Sequence, residues 1–189
     1  MNLLETALCN LKDELMESEY FNRLYEYAEV IEDGDKSYPQ AYIGNGNYVK
    51  VYDFDVNGSG YIRKSGDVSE NKTGREIMGC SDSNPEVDLR IPLRLVCAVP
   101  KKKLGDNSFS DDTLAMDLSG YINKKQPAIT DVQSVMGNII SYSTDRNRIW
   151  HQEVSGVDKQ VNLNLSFVAI DFTLTVRASL DCIRINCNY

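Results

Sequence analysis

Oxygen-bearing side chains at alternate positions of the stretch DFDVNGSGYIRK could bind a calcium ion. The first, third and fifth positions hold Asp53, Asp55 and Asn57, and Gly58 follows at the sixth. A calcium loop of this kind also needs a bidentate glutamate at its last position, where this chain has Lys64. Because asparagine and glycine both tolerate positive φ, Asn57-Gly58 predicts a β-hairpin turn. The alternative to a simple turn is that residues 53–58 bind calcium or another ligand, in a β-rich binding module.

His151 is the only histidine of the chain. A catalytic histidine needs a nucleophile and an orienting acid within reach, and no G-x-S-x-G turn is present. No two cysteines have C-x-x-C spacing; they are Cys9, Cys80, Cys97, Cys182 and Cys187. The sequence therefore predicts no catalytic residue, no metal site and no cofactor, and His151 is interpreted as a structural residue on a rim or at a strand start. A small hydrolase that combines His151 with a cysteine is a second alternative.

Asp171 is an acid inside an apolar strand, between Ile170 and Phe172. Successive side chains of a strand point to opposite faces, so alternation predicts that Asp171 faces solvent. A buried or interface role is the other interpretation.

The negative charge is concentrated at the start of the chain. The formal net charge is −8, and residues 1–36 hold ten acids and three bases, a net of −7. Tight, sequence-independent binding of nucleic acid needs a basic surface, and the only basic run, Lys101-Lys102-Lys103, is interpreted as a solvated turn. No phosphate-binding glycine loop is present. The composition thus argues against a nucleic-acid-binding or nucleotide-binding protein.

The sequence also predicts no signal peptide and no membrane-spanning segment. The segment MNLLETALCNLKDEL has an early glutamate and no basic start, so it does not predict a signal peptide. No apolar run is long enough to cross a membrane. An odd number of cysteines without paired spacing indicates synthesis in a reducing intracellular compartment.

Hydrophobic periodicity predicts the elements of the first half. Leucines spaced four, three and four apart predict an amphipathic helix over residues 3–18; they are Leu4, Leu8, Leu11 and Leu15. Residues 20–39 fit either a helix or a strand that includes Tyr25–Ile31, and their aromatic and β-branched residues favour the strand. Alternation and Asn-Gly turns predict further strands near 39–43, 47–54 and 60–63. The polar segment 64–88 predicts a long loop or arm.

The second half has a strand over about 89–100, followed by a helix that Ser110 or Asp111 caps. Val132, Val135 and Met136 begin a run with helical spacing, which predicts a second helix near 130–143. A long alternating strand follows near 165–177, and a short strand near 182–187 ends the chain. The chain is therefore expected to be one α+β domain over residues 1–189. Its sheet is mostly antiparallel, with an N-terminal helix, one or two helices packed on one face, and a long β-hairpin or loop excursion.

The order of five segments carries a resemblance to a known family. An acidic N-terminal helix precedes YPQAYIGNG, then DLRIPLRLVCAVP leads to SDDTLAMDLSGYI, and SFVAIDFTLTVRA follows. This order resembles the tail-terminator and tail-completion proteins of tailed bacteriophages. The segment WHQEVSGVDKQVNLNLSFVAIDFTLTVRASLDC looks most like neck-ring proteins of crAss-like Bacteroides phages. Residues 64–88 depart from the shortest family members.

The resemblance implies a structural virion protein rather than an enzyme. Such a protein is made in the bacterial cytoplasm and forms a homo-oligomeric ring in the neck, between portal or connector proteins and the tail. DNA would pass through the ring without specific binding, and no membrane would be involved. The acidic surplus of residues 1–36 would then line or flank the channel, where negative charge keeps DNA from adhering.

Overall fold

A computed structural model describes residues 3–51, 57–72, 86–104, 110–124, 132–157 and 164–179. Within these ranges the chain forms one eight-stranded sheet and three α-helices. All strand pairs are antiparallel except one. The α+β class with a mostly antiparallel sheet is therefore confirmed.

The helices and strands have the following bounds. The helices are α1 (Leu3–Met16), α2 (Ser110–Asn123) and α3 (Arg146–Glu153). The strands are β1 (Arg23–Asp33), β2 (Lys36–Gly44), β3 (Asn47–Lys50), β4 (Ser59–Lys64), β5 (Ser69–Lys72), β6 (Glu86–Pro100), β7 (Val132–Ser143) and β8 (Leu165–Ser179).

The sheet is built around one long strand pair. Its order is β3-β2-β1-β4-β6-β8-β7, and β5 pairs with β6 beside β4. β6 and β8 pair over their whole lengths of 15 residues each, from Glu86↔Ser179 to Pro100↔Leu165. Strands β4 and β5 pair with successive parts of β6 on its other side. The single parallel pair is β1 with β4.

The first face of the sheet, which carries Val168, Ile170 and Phe172, is covered by α1 and α2. The helices bury their apolar stripes against it, as the leucine spacing of α1 predicts. Together they form the larger core, whose fully buried members include Leu11, Leu15, Leu93, Leu95, Leu114, Leu118, Ile122 and Phe172. The predicted helix over 3–18 and the helix that begins at Ser110 are therefore both confirmed.

The second face, which carries Phe167, Ala169 and Asp171, is covered over part of its area by α3. A smaller core lies under this helix and includes Tyr61, Ile149 and Phe167. Asp145 caps α3, because its side chain accepts a hydrogen bond from the Arg148 backbone N–H. This helix was not predicted.

The predicted helix near 130–143 is wrong, because Val132–Ser143 is the edge strand β7. A short apolar run can satisfy helical and strand spacing at once. Here pairing with β8 decides the conformation, and Val135 and Gly137 turn to the first face while Met136 is exposed.

The predicted hairpin through Asn57-Gly58 is also wrong, because β4 pairs with β1 and β6 instead of β3. This pairing buries Tyr61 and Ile62 on opposite faces of the sheet. Gly58 does have the expected positive φ of 101°. An added Cβ there would lie 2.2 Å from the Tyr20 carbonyl oxygen, so the position requires glycine.

The segment 64–88 is not simply a loop, because β5 pairs with the first half of β6. Residues 73–85 lie outside the described ranges, as does the predicted last strand near 182–187. The predicted strand near 47–54 is described only as far as Lys50 in β3 and on to Val51.

Gly137 allows α2 to approach β7 closely, and its substitution tests this packing. An added Cβ would lie 2.3 Å from the backbone oxygen of Ile122. We expect Gly137→Ala to destabilise the fold by about 1–3 kcal/mol, because the helix must shift outward. Urea unfolding, monitored by circular dichroism, measures this change in stability.

Gly120→Ala is the matched control, since nothing lies within 4 Å of an added Cβ on that exposed helical position. It should leave stability unchanged or raise it by up to about 1 kcal/mol, because alanine favours helix. Equal effects of the two substitutions would contradict the close approach of α2 to β7.

Candidate functional site

A buried carboxylate lies at the centre of the second face. Glu153 ends α3 and is 3% exposed. Arg63 of β4 donates to both of its oxygens, from Nε at 2.6 Å and from Nη2 at 2.8 Å. The Tyr61 hydroxyl donates to Oε2 at 3.0 Å. A bidentate guanidinium–carboxylate pair of this kind is both strong and directional.

Arg94 of β6 lies beside the same carboxylate. Its Nε is 3.2 Å from Glu153 Oε1 and 3.7 Å from Asp171 Oδ1, but has no hydrogen-bond partner among the described residues. Its Nη2 donates to Gln152 Oε1 at 2.7 Å. We refer to Tyr61, Arg63, Arg94, Glu153 and Asp171 as the Glu153 cluster.

The strand register explains why these charges meet. Arg63 and Arg94 are direct cross-strand partners, and Arg94 is the partner of Asp171 on its other side. Like charges directly opposite each other repel. The Glu153 carboxylate contacts Arg63 and lies close to Arg94, so the cluster has two positive and two negative groups.

Protonation states in the cluster favour a structural role. Burial, followed by the nearby Glu153 carboxylate, raises the pKa of Tyr61 well above its usual value. Burial is the largest single effect on the pKa of Arg63 and lowers it, but the hydrogen bond to Glu153 and the nearby negative charges together outweigh burial, so the pKa is raised. Tyr61 therefore stays protonated and Arg63 stays charged at neutral pH, so neither can act as a general base.

A polar groove of about 560 Å³ continues along the second face, where α3 does not cover it. Its lining residues belong to β6, β7 and β8 and are Asp88, Arg90, Met136, Asn138, Thr173, Thr175 and Arg177. Arg177 donates to both oxygens of Asp88, at 2.7 and 3.0 Å. This hydrogen bonding is the main cause that lowers the pKa of Asp88. Within the groove, much of the charge is thus paired.

His151 and the described cysteines are not brought together. His151 is exposed on α3, above the second face, whereas Cys97 is buried in the core of the first face. Burial raises the pKa of the Cys97 thiol, so it is a poor nucleophile. Cys9 lies on α1, also on the first-face side; Cys80, Cys182 and Cys187 lie outside the described ranges. His151 was predicted on a rim or at a strand start, but it lies at an exposed position of the helix α3.

Asp171 lies on the second face, opposite the buried Ile170 and Phe172, as alternation predicts. Its side chain is 30% exposed and lies close to Arg94. The Ser141 hydroxyl donates to it at 3.4 Å. It therefore belongs to the edge of the Glu153 cluster.

The stretch that begins at Asp53 is described only in its second half. Asp53 and Asp55 lie outside the described ranges, whereas Ser59–Lys64 forms β4. A calcium loop would need these last positions to ligate the ion, but Ser59–Ile62 is buried in the sheet. Among the described residues, no group of acids, histidine and cysteines could hold a metal ion.

Lys102 is exposed, as the predicted solvated turn requires, but Lys103 donates to the Glu19 and Tyr20 carbonyl oxygens.

Large apolar side chains are exposed mainly at the two ends of the sheet. Nine such side chains are exposed in the described part of the chain, and six of them lie on the β2–β3 hairpin or on β7. Those six are Tyr42, Ile43, Tyr48, Met136, Ile140 and Tyr142. We refer to the first three as the hairpin edge and the last three as the β7 edge.

No protein-family model and no curated protein matches the chain. Within the described ranges, none of the helices has the length and apolar character needed to cross a membrane. The functional inference therefore depends on the chain's own surfaces.

Sequence reasoning missed the Glu153 cluster and both edges. The signal for the cluster was weak: Tyr61 and Arg63 are two apart, so they share a face of β4, but α3 has no apolar stripe to show what it covers. The β7 edge was missed because residues 132–143 were interpreted as a helix.

Glu153→Gln tests whether the cluster holds α3 on the sheet. Removing the charge leaves Arg63 without its carboxylate partner in a poorly hydrated site, and leaves Arg94 with only the partly exposed Asp171. We expect stability to fall by about 3–5 kcal/mol, as for other broken buried ion pairs, measured by urea unfolding.

His151→Gln is the control on the same helix, because His151 is exposed. It should change stability by less than about 0.5 kcal/mol. If Glu153→Gln changes the stability as little as His151→Gln does, the cluster does not stabilise the second face.

Proposed function

We propose that this chain is a structural virion protein of a tailed phage, and that it forms part of a ring in the neck between portal and tail. One observation carries the proposal: the chain exposes large apolar side chains at both ends of one sheet, on the hairpin edge and on the β7 edge. The resemblance in element order to tail-terminator proteins supports the same assignment.

Two unlike surfaces favour a ring over a dimer. A two-fold dimer uses the same patch on both subunits, whereas head-to-tail contacts join two different patches and close into a ring when the rotation fits. Exposed apolar clusters rimmed by polar residues are typical of protein–protein interfaces. The placement of the six apolar residues at both sheet ends is what such a contact needs.

The acidic N-terminal segment is compatible with a DNA channel. Glu17 and Glu19 are exposed at the end of α1, and Glu32, Asp33 and Asp35 are exposed at the tip of the β1–β2 hairpin. Negative charge on these elements would repel passing DNA and keep it from adhering. Lys124 offsets part of the charge, because it pairs with Glu14 at 2.6 Å.

The Glu153 cluster supports a non-enzymatic function. Its arginines and carboxylates contact one another and the sheet. In the proposed function it holds α3 in place and thereby keeps the sheet rigid, which a ring subunit needs.

Native mass spectrometry of the purified protein, once in EDTA and once in millimolar calcium, tests the ring. We expect a ring-sized oligomer whose mass does not change with calcium, because the contacts are apolar edges. A monomer with one tightly held calcium ion would contradict the proposal and favour a binding module that uses residues 53–58.

Neutralising Glu14, Glu17 and Glu19 together, each to glutamine, tests the channel charge in assembled particles. We expect slower DNA ejection in a fluorescence assay, because less negative charge would repel the DNA.

Lys124→Gln is the control, since it breaks the Glu14 ion pair without removing an acid. That pair is partly exposed and contributes little to stability, so ejection by the control should match the wild type. Unchanged ejection in the triple variant would overturn the channel assignment of α1.

A further inference from the structure

Among the described strands, β7 lies at one edge of the sheet and has little of the usual protection. Its twelve residues, VQSVMGNIISYS, contain no charged side chain and no proline. No described strand pairs with its outer side. Natural proteins block exposed edges with charges, prolines or bulges because an open edge recruits another strand. Two register shifts are the only such device in β7.

The opposite end of the sheet offers a second apolar edge. The rings of Tyr42 and Tyr48 lie 5.2 Å apart across the β2–β3 hairpin, and both are more than half exposed. The turn is fixed by Gly44, Asn45 and Gly46, all with positive φ. The hairpin therefore presents β3 at the other edge, with aromatic side chains beside it.

Strand directions make the two edges compatible. Following the pairings across the sheet, β3 runs parallel to β1, whereas β7 runs opposite to it. If two copies lie side by side in the same orientation, β7 of one meets β3 of the next in an antiparallel arrangement. Antiparallel pairing has straight hydrogen bonds and brings cross-strand side chains into contact.

We infer that β7 of each copy pairs antiparallel with β3 of a second copy of this chain, so that one sheet continues from subunit to subunit. The inference rests on the proposed ring and names the contact that builds it. The occupant is another copy because the chain itself carries the second apolar edge in the matching direction. Neither β7 nor the hairpin edge has an acidic side chain that would repel the other.

Two edge variants and one control test this contact. Ile140→Glu places a charge on the β7 edge, and Tyr48→Glu places one on the hairpin edge; these side chains are 63% and 60% exposed. Met116→Glu is the control, because Met116 is 65% exposed but lies on α2 and on neither edge strand. Unchanged thermal midpoints show that each variant folds.

We expect each edge variant alone to lose every species above the monomer in native mass spectrometry, while Met116→Glu keeps the wild-type oligomer. Mixed in equal amounts, the two edge variants should form a one-to-one dimer and nothing larger. Each then contributes its intact edge to one contact and has a blocked edge at the other end.

Four results would overturn the inference. A dimer formed by Tyr48→Glu alone would show that β7 pairs with another β7. Wild-type-sized oligomers of both variants would place the contacts elsewhere, and a mixture that stays monomeric would show that the two edges do not meet. A wild-type chain that stays monomeric up to the millimolar range would also overturn it.

The proposed function has a separate readout. An antibody against the protein should label purified particles between head and tail. If the antibody labels the neck but any of the overturning results is found, the neck assignment stands and the β7–β3 contact is wrong. If the protein is absent from particles but the two edge variants form a one-to-one dimer, the neck assignment is wrong and the β7–β3 contact stands.

Discussion

The carboxylate of Glu153 is the constraint on which the second face of the sheet depends. The strand register puts Arg63 directly opposite Arg94, an arrangement that repels itself and is costly to dehydrate. A buried ion pair stabilises a fold only where geometry is good and the remaining polar atoms are satisfied. The bidentate bonds from Arg63 and the bond from the Tyr61 hydroxyl give Glu153 this geometry, whereas Arg94 Nε has no hydrogen-bond partner among the described residues.

Fixing Glu153 also fixes how the chain crosses the sheet. After the edge strand β7, the chain passes through α3 over the second face, and Ser155 then pairs by two backbone hydrogen bonds with Ser37 of β2. Both ends of the sheet are thus connected through one helix that Glu153 holds in place. The positions of the hairpin edge and the β7 edge relative to each other depend on this connection as well as on the long β6–β8 pair.

The parts that the sequence predicts are those with one unambiguous period. The leucine stripe of α1 and the alternation around Ile170 in β8 each fit a single structure, and both were confirmed. Residues 132–143 fit both helix and strand, and only pairing with β8 distinguishes them. The Glu153 cluster needs residues about 90 positions apart to meet, so no local pattern could predict it.

The surroundings of β7 would make an added strand specific. On the first face, α2 lies against this strand, with Ile122 in contact with the Gly137 backbone position. On the second face, Met136 and Asn138 line the polar groove. Alternate side chains of an incoming strand would therefore meet α2 on one side and the arginine-bearing groove on the other. Backbone pairing alone accepts any strand, whereas two unlike surroundings would discriminate between strands by the side chains on each face.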